Sequence, residues 1–220
     1  MARISRLVIP GYPHHITQRG VRSMDVFTDD RDRLSYLQFL AEETEKAGVT
    51  ILAWCLMTNH IHLIAVPERE NALARGIGEA HRRYTRQKNF FEGVRGYLFQ
   101  GRFHSCVLDE PHLLAAARYV ERNPVQAGMA PSALDYPWSS ARYHANRVAK
   151  DLLVRNRYLP ELVGHWEEFL QSADELDLSG NIRQATRTGR PVGGEQFILK
   201  VETLAGRSLR SKPAGRPHKD

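Results

Sequence analysis

The order of periodic segments predicts an α+β chain: an antiparallel four-stranded sheet with helices on one face, followed by a helical and basic C-terminal extension. Three observations carry this. Short apolar runs have the length of strands, intervening stretches repeat their apolar residues at helical spacing, and Gly or Pro punctuates the changes. With 220 residues, 42% hydrophobic and 25% charged, the chain can bury a core of ordinary size.

His14-His15-Ile16-Thr17-Gln18-Arg19 reads as the first strand. Asp29 and Asp30 open a helix, because acidic groups suit the positive end of the helix dipole. Leu34, Leu37, Leu40 and Ala41 form its apolar face, and Gly48 ends it. Val49 to Leu56 is a second, strongly apolar strand, and the Met57-Thr58-Asn59 turn leads into a third, His60 to Val66. So short a connection makes these two strands antiparallel neighbours.

After Pro67 a second helix runs from about Asn71 to Asn89, with Leu73, Ile77, Ala80 and Tyr84 on one face. Leu98 to Leu108 is predicted as one long strand with a bulge at Gly101. Asp109 caps a third helix, Pro111 sits in its first turn, and the helix extends to about Gln126. The first six elements follow the split βαβ order of ferredoxin-like domains, whose first and third strands are central. Residues 1–147 form the predicted body, with a short helix within 131–147, and residues 148–180 a helical extension.

Charge is distributed unevenly. Residues 1–180 hold 22 Lys/Arg and 22 Asp/Glu, whereas residues 181–220 hold 9 against 3, so the whole net charge of +6 lies in the last segment. A basic tail on a neutral body suggests a nucleic acid partner; the alternative is a solvated tail with no target. Gly-Arg-Pro occurs twice there and resembles minor-groove hooks, which makes Arg190 and Arg216 candidate DNA contacts. Phe197, Val201 and Leu204 suggest one small helix between them. No apolar run approaches the about 20 residues of a membrane span. Cys55 and Cys106 lie in strand-like segments and read as buried thiols, which suits a cytoplasmic protein.

The chemistry concentrates at His60-Ile61-His62. Alternate residues of a strand share a face, so the two imidazoles project together. They are either half of a divalent-metal site or two structural histidines at a strand end. The third helix offers a second half: Tyr119 and Asn123, four residues apart, lie on one helical face. An amide oxygen is a hard-metal ligand, and a phenol beside a metal ion could attack a phosphodiester.

These residues carry a resemblance. His60-Ile61-His62 resembles the His-hydrophobic-His motif of HUH endonucleases. Tyr119-Val120-Glu121-Arg122-Asn123-Pro124 followed by Tyr136-Pro137-Trp138-Ser139-Ser140 is similar to their single-tyrosine branch, above all the REP-associated tyrosine transposases. The likeness runs from about Arg6 to about Tyr143. It implies Mg²⁺ or Mn²⁺ held by His60, His62 and Asn123, and attack by Tyr119 on single-stranded, hairpin-forming DNA to leave a 5′-phosphotyrosine. It also makes Arg19 and Arg102 candidates for phosphate contact, although a strand-borne arginine is equally at home on a solvated face. Relatives of this kind exchange active-site helices between subunits; the sequence leaves monomer and homodimer open. A second reading is a domesticated protein that binds palindromic repeats without transposing them. A histidine-triad hydrolase is excluded because Ile64 stands where a third alternate histidine is needed, and no His-Glu-x-x-His zinc motif is present.

Overall fold

The computed structural model describes residues 6–172 and 178–209. Its four-stranded antiparallel sheet has the order β2-β3-β1-β4, with β1 at His14–Arg19, β2 at Val49–Leu56, β3 at His60–Pro67 and β4 at His104–Val107. β1 and β3 are the central pair, as the element order predicts.

Helices α1 (Asp30–Ala47) and α2 (Ala72–Glu92) pack against each other on one face of this sheet. Their Tyr36, Leu37, Leu40, Leu73 and Ile77 share one core with Ile16, Ile61 and Leu63 of the central strands. The start of α1 is set by Asp29, whose carboxylate accepts the Asp32 N–H, and its end by Gly48 in the left-handed conformation (φ 70°). A third helix, α3 (Glu110–Gln126), lies beyond the split unit and covers the opposite face, where Leu113, Ala116 and Val120 join Ala53, Cys55, Ile64 and Cys106. Both faces of the sheet are therefore buried.

α3 is held in place by a buried carboxylate. Glu121, with no exposed surface, accepts from the Ser140 hydroxyl and His144 Nδ1, each at 2.6 Å, and from Trp166 Nε1 at 2.7 Å. These donors come from the segment around α4 (Ala141–His144) and, beyond α5 (Tyr158–Val163), from α6 (Trp166–Gln171). A carboxyl group this deep is tolerated because both of its oxygens accept hydrogen bonds, three in all. The same segment runs along the edge of β2, with Leu56 N–H donating to Trp138 O and Ser140 N–H to Trp54 O.

Two expectations are corrected. The stretch from Leu98 to Leu108 is not one bulged strand: its ladder covers His104–Val107, and before that Phe99 makes a single bridge to Gly20. Gly101 has φ 66°, so it turns the chain away from β1 and interrupts the ladder, where a bulge would have continued it. The basic segment after residue 180, expected as a tail with one small helix, is docked on the body as far as Leu209. It contains α7 (Leu178–Thr188) and α8 (Glu195–Ala205), the latter being the small helix expected around Val201. Ile182 and Thr186 are buried against the body, Val192 N–H donates to Val107 O, and Val201 packs with Leu7, Ile9 and Val107. Charge counting missed this because the basic residues occupy the exposed sides of helices whose apolar stripes are short. Asp174 to Asp177 and Arg216 lie outside the described residues.

Both cysteines are free and buried, as read from the sequence. Among the described residues no helix is long and apolar enough to cross a membrane.

Replacing Glu121 by alanine leaves the His144 and Trp166 donors buried without their acceptor, while the Ser140 hydroxyl can turn to the Trp54 carbonyl at 3.3 Å. At about 1–3 kcal/mol for each stranded donor, the expected cost in urea unfolding is about 2–6 kcal/mol, and a loss below about 1 kcal/mol would mean that this network does not anchor α3.

Candidate active site

The β1–β3 register sets Arg19 opposite His60 and Thr17 opposite His62. Residues 15, 17 and 19 therefore share a face with residues 60, 62 and 64, and Ile64 shows that this is the face covered by α3. The helix brings Tyr119 and Asn123 onto the same spot. The rings of His60 and His62 have centroids 5.0 Å apart, and the Tyr119 ring stands perpendicular to that of His62 at 5.5 Å. All four residues, with Arg19, line a cavity of about 510 Å³. One chain supplies both halves of the site.

The other candidates lie elsewhere. Arg102 is exposed on the turn after Gly101 and borders neighbouring clefts together with Arg6 and Phe103. Arg190 is exposed just past the end of α7 and does not line the cavity. Arg216 is outside the described residues.

The structure adds residues that sequence reasoning passed over. His15 lies on the same face of β1 as Arg19; the alternation that singled out His60 and His62 marks it too, once the register is known. From α7, Arg183 Nε donates to the Tyr119 phenolic oxygen at 3.1 Å, with its guanidinium 5.2 Å from the ring centre, while Arg183 also reaches Gln126 Oε1 at 3.2 Å. Thr186 and Arg187 complete this wall. Nothing in the local sequence links a residue of the basic segment to Tyr119; the link is purely tertiary.

Hydrogen bonds orient the polar groups. Asn59 Nδ2 donates to Ser23 O at 3.2 Å, so Asn59 Oδ1 is the acceptor for His60 Nδ1–H at 2.7 Å, and the His60 lone pair is on Nε2. Asn123 Nδ2 donates to the Tyr119 carbonyl one turn back at 2.8 Å, which makes Oδ1 the acceptor end of that amide. Burial, aided by the charge of Arg19, lowers the His60 pKa to about 4. Burial lowers that of His15 to about 3 and takes His62 well below its ordinary value, with His15, His60, Arg183 and Arg19 adding to the effect. The imidazoles are thus neutral near pH 7, the state in which imidazole binds metal ions.

Two neutral imidazoles and an amide oxygen fit a divalent cation that keeps open positions for substrate oxygens. Among the described residues no group of three or more His, Cys, Asp or Glu side chains is placed to hold a metal ion, so the Asn123 amide oxygen would have to complete the set. Among the described residues the cavity wall carries Arg19, Arg183 and Arg187 and no carboxylate, a balance that suits a phosphate.

The family model "Transposase IS200 like" matches residues 11–123, just over half of the chain. The chain belongs to the IS200-like transposase family, a family of DNA-cleaving enzymes. Among solved structures, a REP-associated tyrosine transposase bound to a REP hairpin is 20% identical, with a TM-score of 0.48 over 71% of this chain and 92% of that one. A protein from Deinococcus radiodurans described as a candidate transposase is 15% identical, with a TM-score of 0.39 over 54% of this chain and 95% of that one. No curated protein matches.

Because its folded-state pKa is lowered, His60 is expected to stay neutral as pH falls through 6.5 and to protonate near 4. Its side-chain NMR titration checks this; a midpoint at or above 6.5 would contradict the buried, Arg19-paired environment.

Proposed function

We propose that the chain is a metal-dependent endonuclease and strand transferase for single-stranded, hairpin-forming DNA, with Tyr119 as the nucleophile. The observation that carries this reading is the convergence of Tyr119, Asn123, His60 and His62 on one cation-lined cavity. His60 and His62, through imidazole nitrogen, and Asn123, through Oδ1, would hold Mg²⁺ or Mn²⁺. When bound, such an ion supplies Lewis-acid polarisation of the scissile phosphate.

The steps assigned to the protein are those the family resemblance implies, carried by the residues of this cavity. The phenolic oxygen of Tyr119 attacks phosphorus and gives up its proton, a 5′-phosphotyrosine bond forms, and the P–O bond to the 3′ oxygen breaks. That oxygen takes up a proton and leaves as a free 3′-OH. Arg183 lies where it can orient the attacking oxygen and offset its developing charge. Arg19 and Arg187 are placed to bind non-bridging phosphate oxygens. Attack by a 3′-OH on the phosphotyrosine reverses these steps and rejoins DNA. Arg102 and Arg190, exposed outside the cavity, are assigned to the flanking DNA, as is Arg216.

The test is incubation of the purified protein with a single-stranded hairpin oligonucleotide and Mn²⁺ or Mg²⁺, followed by denaturing electrophoresis. Wild type should yield a covalent protein–DNA adduct and Tyr119→Phe none. Hairpin binding with no adduct in wild type would instead support the non-cleaving, repeat-binding reading, and equal adduct from Tyr119→Phe would remove Tyr119 from its role.

A further inference from the structure

The geometry points to His15 and Thr186 as positioning residues that determine which nitrogen of His62 carries the lone pair. This deepens the proposed function, since it rests on His62 being a metal ligand.

The direction of each hydrogen bond follows from one contact. Thr186 Oγ1 lies 2.7 Å from the carbonyl oxygen of Ile182, and because a carbonyl accepts and never donates, the hydroxyl proton lies between them. Thr186 Oγ1 is therefore an acceptor toward His15 Nδ1, also at 2.7 Å, and His15 carries its proton on Nδ1. In the neutral ring this leaves Nε2 of His15 as an acceptor. Its partner at 3.1 Å is Nδ1 of His62, which must then be protonated. The two rings lie within 17° of parallel with centroids 5.3 Å apart, a separation that suits rings meeting edge to edge through this bond. His62 is left with its lone pair on Nε2, matching the tautomer that Asn59 imposes on His60.

The opposite direction is disfavoured locally. If Thr186 donated to His15, His15 would donate to His62, and His62 Nε2 would carry a proton and could not bind a cation. The 2.7 Å contact between Thr186 Oγ1 and Ile182 O would then hold no proton. Cys106 Sγ lies 3.1 Å from Thr186 Oγ1, and burial keeps it a protonated thiol, so with the hydroxyl proton on Ile182 O its S–H is free to donate to the second acceptor position of the hydroxyl. The relay runs from α7, through β1, to the central strand β3. The basic C-terminal segment thus sets the ligand chemistry of a histidine more than a hundred residues earlier. Outer partners that orient a metal-bound histidine typically contribute about 10–100-fold in metal affinity.

The experiment uses the full-length, metal-free protein labelled with ¹⁵N-histidine, with tautomers read from long-range proton–nitrogen spectra and Mn²⁺ affinity from calorimetry. Wild type should show His62 protonated on Nδ1. Thr186→Val should shift His62 toward the Nε2-protonated form and weaken Mn²⁺ binding by about 10-fold or more, while Thr186→Ser keeps both wild-type values. His15→Gln, whose amide oxygen can still accept from His62, should bind Mn²⁺ more tightly than His15→Leu. An Nε2-protonated His62 in wild type, or a tautomer unchanged in Thr186→Val, overturns the relay. A tautomer shift with unchanged Mn²⁺ affinity supports the relay and removes His62 from the proposed ligand set, so the two readings fail separately.

Discussion

In a sheet covered on both faces, every polar side chain that points inward has to be satisfied by a neighbour or exposed in a cavity. The central pair of this sheet points His15, Thr17, Arg19, His60 and His62 to one side, and the antiparallel register makes them a single polar patch. α3 seals one flank of that patch with apolar residues and leaves the other open at Tyr119 and Asn123. The cavity is what remains where the core cannot close over polar groups. Its charge, its neutral imidazoles and its facing phenol all follow from that placement.

A site built between a strand and a helix works only if the helix cannot slide. Glu121, on the turn that also carries Tyr119 and Asn123, ties α3 to the segments on its outer side through three buried hydrogen bonds. Arg183 and Thr186 of α7 close the assembly from the far side, one touching Tyr119 and the other His15. Elements that are distant in sequence thus converge on a cavity of about 510 Å³. Preorganisation of this kind keeps reacting groups aligned without a cost at the moment of reaction.

Much of this was legible in the residues. Two-residue alternation placed His60 and His62 on one face, four-residue spacing placed Tyr119 with Asn123, and Asp29, Gly48 and Asp109 marked helix ends that the structure reproduces. What was not legible depended on pairing and packing. Gly101 reads as a bulge, but its left-handed backbone (φ 66°) breaks the ladder before His104, which the glycine's sequence context does not encode. The basic composition after residue 180 hid two helices, because a few buried residues such as Ile182, Thr186 and Val201 are enough to dock them. His15 carried the same strand signal as His60, but its significance lies in a contact across strands that no local pattern encodes.

In the proposed reading, imidazole nitrogens and an amide oxygen from one chain hold a single cation beside the tyrosine. Anomalous diffraction from crystals soaked in Mn²⁺ tests it most directly. One strong peak is expected, contacted by Nε2 of His60, Nε2 of His62 and Oδ1 of Asn123, next to the Tyr119 hydroxyl. A protein with no peak at that position, or one bound through Nδ1 of either histidine, would contradict it.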